Sequence, residues 1–357
     1  MLQGVSPQIE SILAAGNHAY SNMNCQPWHF VLKGLHIDVH IQPNKDQSPY
    51  NWSQRMSYFT TGAVIENMAI AASANGYKAE ITLFPTIDPS HVAAIELTSH
   101  PEIKKDDLAP EIFLRATNRK RFLPMTISDA EQRDLVDAIS PGGTAQAKIT
   151  TSRQDVKRLA EIIAIDDTLI FSNRSVHDFF FGQLNWSDAE DKAKGVGLNI
   201  RLLELQQPTL GLYYLLKYWQ VCSSLSQMRF FDLFGTYNRT VYESAAAMGC
   251  ITIPTDSPED YVNAGRSFER LWLTATKLGL SLQPLNGIPY LMLKLEASEV
   301  NEFSAQEKET IETGYKNTGQ IFANEDRRIV CIFRIGGGAP PSGRSVRDDL
   351  TKIVTIA

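Results

Sequence analysis

The chain has 357 residues, 43% hydrophobic and 21% charged, with 34 Lys and Arg against 40 Asp and Glu and a formal net charge of -6. That apolar content can bury one large or two ordinary domains, and it excludes a disordered chain. The acidic balance argues against a general nucleic-acid binder, and the most apolar run, 209–222, is interrupted by Lys217 and falls short of the roughly 20 residues a membrane-spanning helix needs.

Ser6-Pro7 reads as an N-cap with Pro at the first helical position, followed by Ile9, Ile12 and Leu13 at helical spacing and Gly16 as a stop. A polar turn over 20–28 feeds two alternating runs, 29–32 and 35–41, which predict a strand pair. A second helix is expected over 58–75, closed by Gly76, then short strands over 80–84 and 92–97. The break at Ser99-His100-Pro101 marks a boundary. Beyond it, helices are expected over 128–139 and from a capping-box-like Ser152-x-x-Asp155 to Ile163. The aromatic- and Leu-rich stretch 171–242 predicts mixed helix and loop. Asp256-Ser257-Pro258-Glu259 opens a helix of about 21 residues that Gly279 ends, and 329–335 reads as a strand.

Sliding the chain on itself reveals a repeat at an offset of 203, in which Gly62, Glu66, Ala72 and Gly76 meet Gly265, Glu269, Ala275 and Gly279. A true repeat would make the chain a fused pseudo-dimer. The copies are unequal, because only the second is followed by Arg334-Ile-Gly336 and an Arg-rich tail.

Three segments could carry chemistry. Ser21 to Trp28 clusters short hydrogen-bonding side chains ahead of a rigid Pro-Trp, which also suits a simple polar turn. Arg115 to Phe122 places Arg115, Arg119, Lys120 and Arg121 around the Thr117 hydroxyl, a set suited to phosphate or to a solvated basic linker. Arg334 to Arg347 combines a Gly-rich stretch with Arg344, Ser345 and Arg347; it is neither a Walker loop nor a GxGxxG turn, and a frayed tail is the alternative.

Together these residues resemble the nitroreductase family. Asn24-Cys25-Gln26-Pro27-Trp28-His29-Phe30 is similar to its N-S-Q-P-W-x-F signature, and Arg115-x-Thr117-x-Arg119 to its R-x-S/T-x-R/K element. The helix from Ala264 through Gly265, Phe268, Glu269 and Trp272 to Leu280 resembles the family's central helix, and Arg334-Ile335-Gly336 with Arg344-Ser345-x-Arg347 its last strand and tail. The likeness covers most of the chain and is weak over 140–245. Ordinary members are shorter homodimers with FMN at the subunit interface. A single long chain with a self-match resembles the Acg-type branch, in which a duplicated chain mimics the dimer.

The resemblance implies an α+β nitroreductase fold, internally duplicated, with a degenerate first unit over 1–107 and a more complete second unit over 108–357. It implies FMN, with Arg115, Thr117, Arg119 and Arg344 on the phosphate, assisted by Ser345. Ser21, Asn22 and Asn24 would line the flavin from the first unit, and the Asn286-Gly287 turn would present a backbone N–H to it. Tyr20 stands where many members have Pro, and Asn286 where Glu is common. The implied activity is hydride transfer from NAD(P)H to a small acceptor, a nitroaromatic or quinone. The alternative is an Acg-like flavin-sequestering protein with little turnover, with 195–234 as its lid. A monomer suffices for such a site, and a homodimer remains open; neither nucleic acid nor membrane is expected as a partner.

His36-x-Asp38-x-His40 puts three possible ligands on one strand face, but a polar face explains it and no metal is expected. Cys25 reads as a small buried residue rather than a reactive thiol. The four cysteines lack CxxC spacing, and residues 1–10 lack a basic or apolar leader pattern, which together predict a cytoplasmic protein.

Overall fold

The computed structural model describes residues 2–139, 143–227, 231–297, 301–324 and 326–357. The first helix, α1 (Pro7–Asn17), starts as its sequence predicts, with the Ser6 side chain accepting from the Ile9 N–H. Gly16 does not end it. It lies inside the last turn, where a Cβ would come within 2.5 Å of the Met68 side chain, so its smallness serves packing. Strands β1 (Trp28–Lys33) and β2 (His36–Ile41) form the expected antiparallel pair, turning at Gly34 with φ 63°. Helix α2 (Arg55–Ala74) follows, then β3 (Tyr77–Leu83) and β4 (His91–Ser99), somewhat longer than the sequence predicts.

The second half begins with α3 (Asp129–Asp137), closed at its start by a complete Ser128–Glu131 capping box, and β5 (Gln146–Thr150). Helix α4 (Arg153–Ser172) opens at Ser152 as expected but runs well past Ile163. The stretch expected to mix helix and loop is mostly short helices: α5 (Arg174–Gly182), α6 (Asp188–Lys194), α7 (Thr209–Leu216), α8 (Trp219–Gln227) and α9 (Asp232–Glu243). The two-residue strands β6 (Leu184–Asn185) and β7 (Leu198–Asn199) pair between them. Part of that prediction, 228–230, lies outside the described residues. Aromatic rings tie this region together, as where Phe171 stacks on Phe231 at 4.5 Å and meets Tyr213 edge-on.

The half closes with β8 (Ala247–Ile253), α10 (Pro258–Lys277), β9 (Ser281–Pro284), α11 (Gly287–Glu296), α12 (Ala305–Ile321) and β10 (Arg328–Gly336). Its sheet has the order β5-β8-β10-β9, and the first four strands run β1-β2-β4-β3. Each central helix follows the second strand of its sheet. Their ends share the sequence offset, Arg55 to Pro258 and Ala74 to Lys277.

Helices α2 and α10 cross where two glycines meet. A Cβ on Gly62 would fall 2.0 Å from the Val262 carbonyl oxygen, and one on Gly265 would fall 1.8 Å from that of Phe59. Phe59 and Val262 are themselves equivalent at the 203-residue offset, so the contact is self-complementary, as across a two-fold axis. Helix α2 is buried almost all round, between its sheet and α10, which is why it lacks a polar stripe.

The tail does not fray. After β10 it crosses to the first half, where Asn17 donates to the Asp348 carbonyl (2.9 Å) and the Asp348 N–H donates to Gln26 Oε1 (2.9 Å). A last turn, α13 (Leu350–Ile353), leads into β11 (Val354–Ile356), which pairs parallel with β1. Residues 343–347 are thereby laid beside residues 18–26. Among the described residues, no helix is long and apolar enough to cross a membrane.

Candidate functional site

A cleft of about 1040 Å³ opens between the halves. Tyr20, Ser21 and Asn22 come to it from the first half, and Thr117, Arg119, Asp166, Asp167, Asn286 and Gly287 from the second. A smaller compartment of about 580 Å³ adjoins it, sharing Ser21, Thr117 and Arg119 and adding His18, Asn24, Arg115, Arg344, Ser345 and Arg347. Each of the ten residues singled out in the sequence lines one space or the other.

The smaller compartment is lined by four arginines, Arg115, Arg119, Arg344 and Arg347, and one of them, Arg115, pairs with a buried carboxylate, Glu269. Arg115 is buried; its Nε lies 3.0 Å from Glu269 Oε1, its Nη2 donates to the His18 carbonyl (2.6 Å), and its guanidinium lies over the Trp272 ring. Arg347 donates to the carbonyls of His18 and Ala19 (3.0 Å each) and to Asn24 Oδ1 (2.9 Å). Arg344 donates to the carbonyls of Phe113 and Leu114. Arg119 makes only a 3.3 Å bond to the Leu202 carbonyl, and among the described residues no carboxylate pairs with it.

The positive surplus is felt locally. Burial, with Arg347, Arg115 and Arg344 nearby, pushes the His18 imidazole down to about 3. Burial, reinforced by Arg115, lowers Arg347 to about 9, and burial lowers Arg119 to about 10. A closed space that penalises its own cations attracts an anion.

Several expected ligands are largely committed to holding the protein together. Arg115 serves Glu269, because a carboxylate at the α2–α10 core requires a countercharge. Asn24, at φ 59°, donates to the Gly197 and Val346 carbonyls while accepting from Arg347, so it ties three segments together. Ser21 accepts from the Gln26 N–H, and Asn22 donates to Ser48. The less committed donors facing the compartment are Arg119, Thr117 and Ser345.

Asn286 and Gly287 form the start of α11. The two departures from the family pattern meet here: Asn286 Nδ2 donates to the Tyr20 hydroxyl at 3.0 Å, leaving Asn286 Oδ1 buried and without a partner. At Gly287 a Cβ would fall 2.1 Å from Asp166 Cγ, so only glycine fits under that carboxyl. The helix also brings its unpaired first-turn amides to the cleft edge.

Asp166 and Asp167 were not singled out in the sequence. Their only signal was an acid pair inside the apolar run of a helix. Tyr50 donates to Asp166 (2.8 Å), while Tyr242 (2.7 Å) and Asn238 (3.0 Å) donate to Asp167. Burial, and for Asp166 also its neighbour's charge, pushes these carboxyls up to about 7 and about 6. Between pH values of about 4 and 7 the folded chain therefore holds more protons than the unfolded one, and stability falls as pH rises. Asp166→Asn is expected to match wild type near pH 4 and to be more stable by on the order of 1–3 kcal/mol at pH 8. Urea midpoints at the two pH values test this; an equal offset at both would reject it.

The candidate lid over 195–234 borders the smaller compartment through Leu198 and Leu202. Phe179 and Phe180 on α5, upstream of that segment, line the larger cleft, and residues 228–230 of the candidate lid lie outside the described residues.

An α+β chain with a cation-lined compartment beside a larger cleft is what the fold and site define. Among the curated relatives it matches, the acg proteins carry the nitroreductase name. The chain is 23% identical over 341 residues to Uncharacterized protein MT1398 of Mycobacterium tuberculosis CDC 1551, covering 94% of this chain and 46% of that protein. It is 27% identical over 152 residues to Uncharacterized protein Rv3127 of strain H37Rv (38% and 44%). It is also 23% identical over 192 residues to "Putative NAD(P)H nitroreductase acg" of H37Rv (53% and 56%). The chain thus spans about half the length of the curated relatives it matches. Among solved structures, it is similar to the FMN-dependent nitroreductase NfnB of Mycobacterium smegmatis in complex with NADPH, at 13% identity and TM-score 0.41, covering 70% of this chain and 100% of that one. No family model matches the chain.

Proposed function

We propose that the protein is an FMN-dependent oxidoreductase that takes a hydride from NAD(P)H and delivers it to a small acceptor, a nitroaromatic or quinone. The observation that carries this reading is the four-guanidinium compartment, in which Arg119 has no carboxylate partner among the described residues, adjoining the larger cleft. That donor set fits a phosphate. The motif resemblance and the Acg relative point the same way.

In this reading Arg119, Thr117, Arg344 and Ser345 hold the phosphate, and Arg115 and Arg347 add charge from behind. Ser21, Asn22 and Asn24 shape the side contributed by the first half. The α11 amides at Gly287 favour negative charge at the cleft edge, and the Asp166 carboxyl, held near neutrality, can give up a proton there. Bound FMN would supply two-electron exchange with a nicotinamide and then with the acceptor. The units 1–107 and 108–357 are the duplicated halves of a pseudo-dimer, supported by their matching sheet orders and the Gly62–Gly265 crossing, so one chain suffices for the site.

A second reading, an Acg-like protein that binds flavin without turnover, is favoured by one observation: Phe179 and Phe180 line the cleft where a nicotinamide would stack. An absorption spectrum of the purified protein, followed anaerobically on adding NADH and then NADPH, separates the two. Rapid bleaching of a flavin band is the expected result. A flavin that stays oxidised selects the second reading, and failure to bind added FMN overturns both.

A further inference from the structure

The outer face of the first sheet carries a cluster unrelated to the cleft. In β2, Ile37, Val39 and Ile41 pack into the core, leaving His36, Asp38 and His40 on the other face. One strand alone offers too little to hold a metal. The missing member comes from β4: a register shift between Val39 and His40 places His91 directly across from His40, and the two rings stack with centroids 4.3 Å apart.

Asp38 and His91 are only 7% and 9% exposed. Asp38 Oδ1 lies 2.8 Å from His91 Nε2, yet that nitrogen is buried and makes no aligned hydrogen bond. One ligand atom from each of Asp38, His40 and His91 lies within 4.8 Å of the other two, a spacing that small side-chain rotations bring to the roughly 3.3 Å edge of a tetrahedron with metal–ligand bonds of about 2.0–2.1 Å. The surrounding groups fit as well. Thr86 Oγ1 lies 3.4 Å from His91 Nδ1, able to accept a hydrogen bond from the Nδ1–H tautomer, which leaves the Nε2 lone pair free. His36 bonds Asp38 Oδ1 through Nε2 (2.8 Å) and Glu96 through Nδ1, holding the carboxylate in place. Lys33, 3.6 Å from Asp38 Oδ2, is a competing cation at the rim.

We propose that Asp38, His40 and His91 form a divalent-cation site with the two-imidazole, one-carboxylate donor set that suits Zn²⁺, its fourth position open to water. The ion cross-links β2 to β4 at the register shift. His36 is a positioning residue.

The test uses the full chain, stripped with EDTA and desalted, titrated calorimetrically with ZnCl₂. All four cysteines are buried and do not compete. One equivalent is expected to bind and to raise the melting temperature. His91→Ala and His40→Gln should each weaken binding at least about 100-fold, and His36→Gln about 10-fold, with far-ultraviolet circular dichroism unchanged. His40 is partly exposed, so its variant gives a result even where the His91 variant folds poorly. Absence of stoichiometric binding, or binding that survives His40→Gln at full strength, overturns the site and leaves Asp38 bridging His36 and His91 as a hydrogen-bonded network.

Discussion

Replacing Arg119 with Met is expected to weaken FMN binding by about 10- to 100-fold while leaving riboflavin binding unchanged, the range following from one or two charge-assisted hydrogen bonds. Arg119 borders both spaces, and burial depresses its pKa to about 10 with no carboxylate pairing among the described residues. The group is therefore desolvated in advance of a ligand, and an incoming phosphate gains the attraction without a competing ion pair to break. Met keeps the stem and removes only the charge, so the flavin-free fold should be at least as stable as wild type. Arg115, only four residues earlier, should behave oppositely. Its removal strands Glu269 in the core, at a cost of about 3–5 kcal/mol. Fluorescence titration with both flavins and denaturant midpoints measure the two effects. If the Arg119 variant still prefers FMN to riboflavin as wild type does, the smaller compartment is not the phosphate site.

What the sequence made legible was local or repeated. Ser6-Pro7 and the Ser128–Glu131 box act within one helical turn, so the start sites of α1 and α3 could be read directly. The repeat was legible because a helix crossing this close demands glycine on both helices, and Gly62 and Gly265 stand at equivalent places. Contacts remote in sequence were hidden. Arg115 reads equally well as a phosphate ligand or as part of a solvated basic linker until Glu269 is seen beside it. The tail reads as frayed until β11 pairs with β1, and His91 has no ligand spacing until the β2–β4 register brings it to His40. Asp166 and Asp167 lie beyond the expected helix end at Ile163, and nothing in the pattern of α4 reveals that they open onto a cleft.

Gly265→Ala is expected to cost about 3 kcal/mol or more and to lower the melting temperature by about 5–10 °C, far beyond the usual penalty of a helical substitution. The new Cβ would fall 1.8 Å from the Phe59 carbonyl oxygen and 3.1 Å from Gly62 Cα, both backbone atoms that no side-chain rotation can move. Helices α2 and α10 must then separate, although α2 is buried almost all round, and the gap costs packing on both sides. Gly279→Ala is the control. It must adopt φ 71° but meets nothing within 4 Å, so it should cost only about 1 kcal/mol. The separation should also reach the cleft. Tyr20 packs on Phe59, Phe268 and Trp272 at the crossing (ring centroids 6.2, 5.8 and 5.5 Å), and its hydroxyl accepts the Asn286 bond at the start of α11. Weaker flavin retention should therefore accompany the lost stability in Gly265→Ala and not in Gly279→Ala. Equal melting temperatures for the two variants would mean that the glycine crossing is not what fixes the distance between the halves.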